Sequence, residues 1–459
     1  MSPLEELCAK LGERVVTDRD ILSSYSRDSA RWAESFDPMA LLRATSVDDV
    51  QSLARWASEH RIPIVPRGAG TGVAGGASAV KGCVVLSFEK MNRILEINER
   101  AMYAVVQPGV LNGELKRAAS DRGLWYPPDP SSYEISTLGG NVATNAGGLC
   151  CLKYGVTGDY VLGLEAVRAN GERFSTGGRC RKDVAGYDLT RLLVGSEGTL
   201  AIVTELRLRL RQKLPPATTV LALFPSVEAA GYATSEIVRC SEPSLLELMD
   251  RTAISAVENV ARLGIEESAA ALLLAQVDSG KPDELARMRE ACEGAGAQLV
   301  YASEDEDEGQ RLLQARRLAY PALERLGQVM IDDISVPLPH LAEMLRRIEA
   351  AARSNDILVA TVAHAGDGNI HPLIVFDPCN AQAEARANLV FRRLMLDALE
   401  LGGTITGEHG IGSIKAGFLQ QQLDTTAFSL HHAIKQAFDP LGILNPGKLL
   451  HAPALRTSP

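Results

Sequence analysis

At 459 residues the chain is too long for one ordinary hydrophobic core, so we expect two or three domains. Its formal net charge of −10 at pH 7 argues against a nucleic-acid-binding or anionic-membrane surface. The amino terminus lacks the basic and apolar segments of a secretory signal, and no uncharged apolar run is long enough to cross a bilayer. The eight cysteines form no C-x-x-C pair. We therefore expect no iron–sulfur or zinc-ribbon site, and we expect reduced thiols in a cytoplasmic protein.

In chain order, the first clear element is a helix that begins after Ser46. Asp49 lies three residues further on, where an acidic side chain supports a helix start. Val50, Leu53 and Ala57 then recur at helical spacing, which predicts one apolar face.

A glycine-rich loop follows the predicted strand 62–66 and ends at Gly76. Such a loop exposes consecutive backbone N–H groups, which suits a phosphate or pyrophosphate, and a flexible surface loop is the alternative. Residues 70–75 also match the G-x-G-x-x-G spacing of a dinucleotide-binding fold. We reject that match because the apolar run 83–88 begins too soon for a crossover helix, which needs at least about a dozen residues.

Two further glycine-rich regions follow a predicted hairpin, 94–97 with 104–107, and a predicted helix, 111–121. One region spans 136–148 and the other spans 195–204. Their small residues, hydroxyls and Asn amides can wrap a planar ligand with polar edges. Three such regions within about 140 residues favour a large nucleotide cofactor over loops without a ligand.

The pattern changes after residues 206–210, which alternate as in a strand with one solvent-facing side. Residues 213–216 read Lys-Leu-Pro-Pro, and we place a domain boundary there. Predicted strands near 220–224 and 270–277 then alternate with predicted helices at 226–240 and 283–293 in an α+β pattern. Further on, Arg316 lies on a mostly apolar helix face, where a guanidinium needs an anionic partner. That partner is either a structural carboxylate or a substrate carboxylate.

Two histidines flank a predicted turn at Asp367-Gly368, between the apolar runs 357–363 and 372–376. A two-residue turn would pair His364 directly with His371 on one face, with Cβ atoms roughly 5 Å apart. Two imidazoles at that separation can share one divalent metal, and a stacked pair of structural histidines is the alternative. His60 and the pair His431-His432 have no such context, and we assign them structural roles.

A third metal ligand is offered where Glu408 and His409 stand side by side between glycines. In an extended chain adjacent side chains point in opposite directions, so one could bind the metal while the other faces a substrate. Two histidines and one carboxylate form a plausible open site for zinc, manganese or iron.

Several of these motifs, in this order, resemble the flavin domain of the vanillyl-alcohol oxidase superfamily. They are the loop from Pro66 to Gly76, Pro127-x-Asp129-Pro130, Gly139-Gly140-Asn141, Asn145-Ala146-Gly147-Gly148, Lys153-Tyr154-Gly155 and Gly195-Ser196-Glu197-Gly198-Thr199. The motifs that resemble its D-2-hydroxyacid dehydrogenase branch are His364-x6-His371, Gly407-Glu408-His409-Gly410 and Asn445-Pro446-Gly447-Lys448. That branch includes the glycolate oxidase FAD subunit and D-lactate dehydrogenases. The resemblance covers nearly the whole chain and is specific for family, not for substrate.

The resemblance implies an α+β fold with a PCMH-type FAD-binding domain of two α+β subdomains at residues 1–214. An α+β cap, or substrate, domain with an antiparallel sheet would occupy 215–410, and residues 411–459 would return to the flavin domain. FAD would be bound non-covalently, because the first glycine loop lacks the histidine that often carries a covalent flavin. The expected FAD-binding residues are Pro66, Arg67, Gly68, Ala69, Gly70, Thr71, Gly72, Pro127, Asp129, Ser136, Thr137, Gly139, Gly140, Asn141, Asn145, Ala146, Gly147, Tyr154, Glu197, Gly198, Ile202, Val203 and Asn445.

The resemblance also implies how the reaction would be divided among the side chains. His364, His371 and Glu408 would bind a divalent metal, zinc or manganese, that contacts the substrate hydroxyl and carboxylate. Arg316 would pair with the substrate carboxylate. His409 would take the hydroxyl proton while C2 passes a hydride to flavin N5.

The expected substrate is a small D-2-hydroxy acid such as D-lactate or glycolate. Branch members that act on longer diacids carry a basic residue near residues 330–333, where this chain has none. Electrons would leave to a non-NAD acceptor such as an iron–sulfur subunit, an electron-transfer flavoprotein, a quinone or a cytochrome. A homodimer, and attachment to the inner membrane through a partner, are compatible with this assignment. Two alternatives stay open: an oxidase of a different alcohol, and a flavin-binding assembly or electron-transfer subunit without turnover of its own.

Overall fold

The computed structural model of the chain describes residues 1–214, 217–262, 264–265 and 269–450. Pro215 and Pro216 of the expected domain boundary, and residues 451–459 of the expected C-terminal segment, lie outside the described residues. The chain forms two compact units. Unit 1 contains Met1–Gly147, Val156–Lys213 and the chain from Glu408 onward, and unit 2 contains Gly148–Gly155 and Leu214–Gly407.

The strands are, in chain order, β1 (Val15–Val16), β2 (Ala40–Arg43), β3 (Ile64–Arg67), β4 (Val84–Ser87), β5 (Ile94–Asn98), β6 (Tyr103–Val106), β7 (Leu124–Trp125), β8 (Val161–Val167), β9 (Arg173–Gly177), β10 (Ile202–Arg209), β11 (Arg211–Gln212), β12 (Thr218–Phe224), β13 (Leu245–Asp250), β14 (Ala271–Val277), β15 (Leu299–Ser303), β16 (Gln328–Ile331), β17 (Ile334–Ser335), β18 (Leu358–His364) and β19 (Asn369–Phe376). The helices are α1 (Pro3–Leu11), α2 (Arg19–Ser23), α3 (Val47–His60), α4 (Asn112–Ser120), α5 (Leu138–Thr144), α6 (Cys151–Tyr154), α7 (Leu189–Leu193), α8 (Val227–Cys240), α9 (Arg251–Ala261), α10 (Pro282–Gly294), α11 (Glu306–Arg317), α12 (Ala319–Glu324), α13 (Leu341–Ser354), α14 (Ala381–Glu400), α15 (Leu419–Gln422) and α16 (Thr425–Phe438).

The first sheet of unit 1 has the order β1-β2-β4-β3, with β2, β4 and β3 parallel. Helix α3 begins as predicted, because the Ser46 hydroxyl accepts a hydrogen bond from the amide of Asp49 at 3.3 Å. Its apolar face, with Leu53 and Trp56, is buried in the same core as strands β2 and β4. The loop between β3 and β4 contains no helix, which confirms the rejection of a dinucleotide-binding crossover.

The second sheet of unit 1 is antiparallel and has the order β5-β6-β10-β8-β9. The predicted hairpin of residues 94–107 is confirmed as β5 and β6, and the predicted helix 111–121 is confirmed as α4. Strand β10 alternates between buried and half-buried positions, as the Leu/Arg alternation predicts. Helices α4 and α5 share its core.

Unit 2 is built on one antiparallel sheet in the order β15-β12-β14-β13-β18-β19-β16, with β17 also paired to β19. Strands β13 and β19, which each pair with a strand on either side, are buried along their whole length. The predicted strands and helices between residues 220 and 293 are confirmed as β12, α8, β14 and α10. Helices and antiparallel sheets together confirm the α+β fold class. Among the described residues, no helix is both long and apolar enough to cross a membrane.

Candidate functional site

The first glycine loop of unit 1 offers a run of open backbone amides. The amides of residues 68–72 donate no hydrogen bond to any described residue, so a bound phosphate could accept from them. The side chain of Arg67, at the start of the loop, is buried, and its Nη1 donates a hydrogen bond to the carbonyl of Arg27 at 2.8 Å. Gly70 has a positive φ of 74° and leaves no room for a Cβ, which would lie 2.2 Å from Nη2 of Arg67.

The second glycine region contacts the first. Helix α5 begins after Thr137, whose hydroxyl accepts a hydrogen bond from the amide of Gly140 at 3.2 Å. A Cβ at Gly68 would lie 2.2 Å from that same hydroxyl, so the two regions can meet only because residue 68 is glycine. Beside this contact, Ser136 Oγ and Asn141 Nδ2 are buried without a hydrogen-bond partner among the described residues.

The third glycine region packs on the other two. The amide of Glu197 donates to the carbonyl of Ala143 in α5 at 2.8 Å, and a Cβ at Gly198 would lie 3.1 Å from the ring of Pro66. Asn445 joins the regions from the far end of the chain, because its Nδ2 donates to the carbonyls of Gly76 at 2.9 Å and Glu197 at 2.7 Å. Its Oδ1 is buried and has no partner among the described residues.

These observations agree with a flavin nucleotide as the ligand of unit 1. Open amides suit a pyrophosphate, and the buried donors and acceptors without protein partners suit the polar edges of a ring system. Glycine at residue 68 lets the first and second glycine regions pack together. The residues present therefore fit FAD.

Several expected FAD-binding residues also have structural contacts. Asn145 has a positive φ of 52°, and its Oδ1 accepts from the amide of Gly158 at 2.8 Å. The carbonyl of Pro127 accepts from Lys116 Nζ at 3.1 Å. Ile202 and Val203 open strand β10. Tyr154 lies in unit 2, where its hydroxyl and the Lys153 ammonium both bind Asp278.

The carboxylate of Glu197 binds the chain just beyond His409. It accepts hydrogen bonds from the amides of Ile411 and Gly412, both at 2.7 Å. Burial raises the pKa of Glu197 to about 7, although the two amides and Lys448 oppose the shift. The side chain of Glu197 therefore fixes the course of the segment that carries His409.

In unit 2 the two histidines lie together, but the predicted register is wrong. Strand β18 pairs His364 with Asn369, and His371 pairs with Val362. The turn is longer than two residues because Ala365–Asp367 form a short 3₁₀ helix, and Gly368 ends it with φ 75°. His364 and His371 are thus diagonal neighbours on one face, with ring centroids 5.1 Å apart.

Each histidine has a buried carboxylate on its Nδ1 side, and only the one beside His364 is within hydrogen-bond distance. Glu247 Oε1, from the central strand β13, lies 2.6 Å from Nδ1 of His364, and the glutamate side chain is 1% exposed. Asp333 Oδ1 lies 3.7 Å from Nδ1 of His371 and is also buried. At His364 the carboxylate at Nδ1 leaves Nε2 as the metal-binding nitrogen, the usual arrangement around a metal-bound histidine. The pair therefore fits a divalent metal.

Asp333 also holds the end of unit 2 that leads to Glu408. Its Oδ2 accepts from the Thr406 hydroxyl at 2.7 Å and from the amide of Gly407 at 2.9 Å. Its Oδ1 accepts from Asn369 Nδ2 at 2.8 Å. A Cβ at residue 407 would lie 2.2 Å from that Asn369 nitrogen, so glycine is required there.

Arg316 has the structural carboxylate that was one of its two expected partners. Its Nε lies 2.9 Å from Oε2 of Glu247, and its side chain is 12% exposed. The pair is an ion pair by distance, but the N–H is not aligned with the oxygen, so neither atom makes a hydrogen bond. No described residue accepts a hydrogen bond from the two terminal nitrogens of Arg316, which leaves them available to a second anion.

Glu408 and His409 lie in unit 1, and the expectation that their side chains diverge is wrong. Nε2 of His409 lies 3.7 Å from Oε1 of Glu408. The chain is bent at 407–409 and not extended, and Gly410 continues it with φ 84°. Glu408 packs closely on the second glycine region, because a Cβ at Gly147 would lie 2.5 Å from its Oε2.

Glu247 and Asp333 were not identified from the sequence. Glu247 stands alone in the apolar run Leu245-Leu246-Glu247-Leu248-Met249, and an acidic residue inside a predicted buried strand is the signal that could have singled it out. Asp333 is the second of two adjacent aspartates, Asp332-Asp333, that follow the apolar run 329–331, but the sequence does not indicate which histidine each carboxylate would face.

Two family models match the chain. One, described as FAD binding domain, matches residues 38–177. The other, described as FAD linked oxidases, C-terminal domain, matches residues 214–449.

Among similar proteins, the glycolate oxidase subunit GlcD of Bacillus subtilis is 44% identical over 430 residues, with 93% of this chain and 91% of the relative covered. The D-lactate dehydrogenase of Archaeoglobus fulgidus is 38% identical over 423 residues, with 92% of each chain covered. Among solved structures, 4-ethylphenol oxidase from Gulosibacter chungangensis superposes with a TM-score of 0.80 at 20% identity, covering 98% of this chain and 96% of the other. p-Cresol methylhydroxylase superposes with a TM-score of 0.79 at 20% identity, covering 97% of this chain and 96% of the other, so it shares this fold, as the sequence resemblance predicts.

Proposed function

This chain belongs to the FAD linked oxidases and is a FAD-dependent oxidoreductase, and from that premise we propose that it oxidises a small D-2-hydroxy acid to the 2-keto acid. The proposed substrates are D-lactate and glycolate, the compounds in the names of the similar dehydrogenase and oxidase subunit. The observation that carries the proposal is the arrangement in unit 2. His364 and His371 lie together on one face of the sheet, with ring centroids 5.1 Å apart. The carboxylate of Glu247 contacts Nδ1 of His364 and also pairs with Arg316, whose terminal nitrogens are open.

A 2-hydroxy acid needs two kinds of recognition, one for its carboxylate and one for its hydroxyl. The terminal nitrogens of Arg316 suit the carboxylate, since a guanidinium offers two parallel N–H donors to two oxygens. In the proposal His364, His371 and Glu408 hold a divalent metal, zinc or manganese. When bound, that metal would supply a Lewis acid for the substrate oxygens.

His409 is the proposed proton acceptor for the substrate hydroxyl. An imidazole is a suitable general base near neutral pH. The side chain is 23% exposed, so it can reach a ligand. Glu197 supports the role through its hydrogen bonds to the amides of Ile411 and Gly412, which limit the freedom of the segment that carries the base.

FAD, when bound, would accept the hydride that leaves C2 of the substrate, at flavin N5. The proposed FAD residues are those of the three glycine regions together with Pro127, Asp129, Tyr154 and Asn445. In this proposal residues 1–214 form the FAD-binding domain, 215–410 the substrate domain, and 411–459 return to the first. The proposed electron acceptor is not NAD, and a partner subunit of a glycolate oxidase complex is one candidate, since similar proteins are named as subunits of glycolate oxidase.

Turnover of separate hydroxy acids with an artificial dye tests the proposal. D-lactate or glycolate should reduce the dye, while L-lactate and simple alcohols should not. If the FAD-loaded chain bleaches its flavin with none of the hydroxy acids, the alternative of an assembly or electron-transfer subunit is favoured. Turnover of a simple alcohol, which has no carboxylate, would instead contradict the proposal that Arg316 binds a substrate carboxylate.

A further inference from the structure

We propose that Glu247 is a positioning residue that serves both halves of the substrate site, because one buried carboxylate sets the tautomer of His364 and holds the guanidinium of Arg316. The inference rests on the proposed function, since it assigns a task to Glu247 in metal binding and in carboxylate recognition. It explains why an acidic side chain occupies the middle of a strand whose other side chains are buried and mostly apolar.

The geometry gives each oxygen of Glu247 a different task. Oε1 lies 2.6 Å from Nδ1 of His364, and Oε2 lies 2.9 Å from Nε of Arg316. The side chain is 1% exposed, so water cannot replace either partner. The carboxylate also needs both partners, because an isolated charge in such a place is strongly unfavourable.

The first task is the choice of tautomer. An ionised carboxylate can only accept, so Nδ1 of His364 must carry the proton. The neutral ring then presents the lone pair of Nε2 to a metal. Loss of the carboxylate would allow the other tautomer, in which Nε2 carries the proton and cannot bind a metal.

The second task is the orientation of the guanidinium. With Nε near Glu247, the two terminal nitrogens of Arg316 form the free end of a planar fork. The Nε–H of Arg316 is not aligned with Oε2 of Glu247, so the two groups form an ion pair without a hydrogen bond.

Asp333 provides the contrast within the same unit. Its two oxygens accept three hydrogen bonds, from Asn369, Thr406 and Gly407, and it lies 3.7 Å from His371. It is anchored by fixed groups of the protein, whereas Oε2 of Glu247 has no aligned hydrogen bond. Glu247 is thus the carboxylate that directly joins a proposed metal ligand to the proposed carboxylate clamp.

Two binding measurements on the full-length, FAD-loaded protein test the inference. The first is the dissociation constant of Mn²⁺, from the electron paramagnetic resonance signal of the free ion, without substrate. The second is the dissociation constant of pyruvate for the metal-free protein, from the shift of the flavin absorbance. Glu247→Gln should weaken Mn²⁺ binding by about 10- to 100-fold, the usual effect of removing the partner of a metal-bound histidine. It should also raise the dissociation constant of pyruvate, by about tenfold for each 1.4 kcal/mol of binding free energy that is lost when Arg316 is no longer held in place.

Two control variants separate the tasks. Arg316→Lys should weaken pyruvate binding and leave Mn²⁺ binding within a factor of two or three. Glu242→Gln, at an exposed position just before the same strand, should change neither constant. The inference is overturned if Glu247→Gln alters only one of the two constants or neither. If instead the wild-type protein binds neither Mn²⁺ nor pyruvate and oxidises no hydroxy acid, the proposed function itself fails.

A measurement on the wild-type protein covers the case in which Glu247→Gln does not fold. Long-range proton–nitrogen correlation spectra of the metal-free protein, labelled with ¹⁵N at histidine, distinguish the two tautomers. The signal assigned to His364 by its loss in His364→Gln should carry its proton on Nδ1. A proton on Nε2 would contradict the proposed task of Glu247.

Discussion

Arg316→Lys should separate catalysis from stability more clearly than any other single substitution. Lysine keeps the positive charge but has one compact ammonium in place of a planar fork. In the structure Nε of Arg316 serves Glu247 while the two terminal nitrogens stay open. A lysine ammonium would have to pair with either Glu247 or the substrate carboxylate. Because the buried glutamate is present with or without substrate, the ammonium should pair with Glu247. We therefore expect the variant to fold and to lose substrate binding.

The size of the effect follows from the contacts. Hydrogen bonds to a charged group contribute roughly 1.5–3 kcal/mol each, so losing one aligned bond to the substrate corresponds to about a 10- to 100-fold lower kcat/KM. Arg316→Ala should lose at least as much activity. It should also destabilise the fold by about 3–5 kcal/mol, because it leaves Glu247, which is 1% exposed, without a counter-charge.

The assay is dye-coupled oxidation of D-lactate at several concentrations, with thermal unfolding followed by circular dichroism. Arg316→Lys should raise KM more than it lowers kcat while the unfolding temperature changes little. Arg311→Ala removes the same group from an exposed position of α11 and should match wild type in both assays. If Arg316→Lys keeps kcat/KM within a factor of three, another cation binds the carboxylate, with Arg317 the first candidate.

Three further predictions concern the cofactors and the base. Acid precipitation should leave yellow flavin in the supernatant, because the loop at residues 66–76 contains no histidine for a covalent bond; colour in the pellet would contradict this. Chelation should abolish turnover while FAD stays bound, and full activity of a protein shown by elemental analysis to be metal-free would rule out the metal. Glu408→Gln should lose metal together with activity, whereas His409→Gln should keep FAD and metal and reduce its flavin about 10²- to 10⁴-fold more slowly in stopped-flow measurements. Loss of metal in His409→Gln instead would mean that the two roles are reversed.

The sequence predicted those helices and strands well whose signals lie within a few neighbouring residues. The helix after Ser46, the hairpin 94–107 and the alternating strand β10 depend on capping, turn length and a period of two, which neighbouring residues determine. The glycine regions were also recognisable one by one. Their contacts in unit 1, such as Gly68 against Thr137, depend on residues about seventy positions apart, which no local pattern encodes.

The histidine pair shows where local rules fail in a definite way. Asp367-Gly368 indicates a two-residue turn, which would pair His364 with His371. The two histidines do lie on the same face of the sheet, but His364 pairs with Asn369 instead. Residues 365–367 form a 3₁₀ turn, which uses two more residues than the tightest hairpin. A shift by an even number of positions preserves which side chains share a face, so His364 and His371 stay together in spite of the wrong pairing.

The carboxylates behind the histidines account for the charge of the site. Glu247 and Asp333 are both buried in unit 2, and Arg316 is the cation paired with Glu247. Two carboxylates and one guanidinium leave an excess of one negative charge in unit 2, and the carboxylate of Glu408, the third proposed metal ligand, would raise that excess to two. A divalent cation held by His364, His371 and Glu408 would offset both charges. The charge balance therefore favours the metal, whereas recognition of a substrate carboxylate depends on the open terminal nitrogens of Arg316, which a neutral alcohol would leave without an anion.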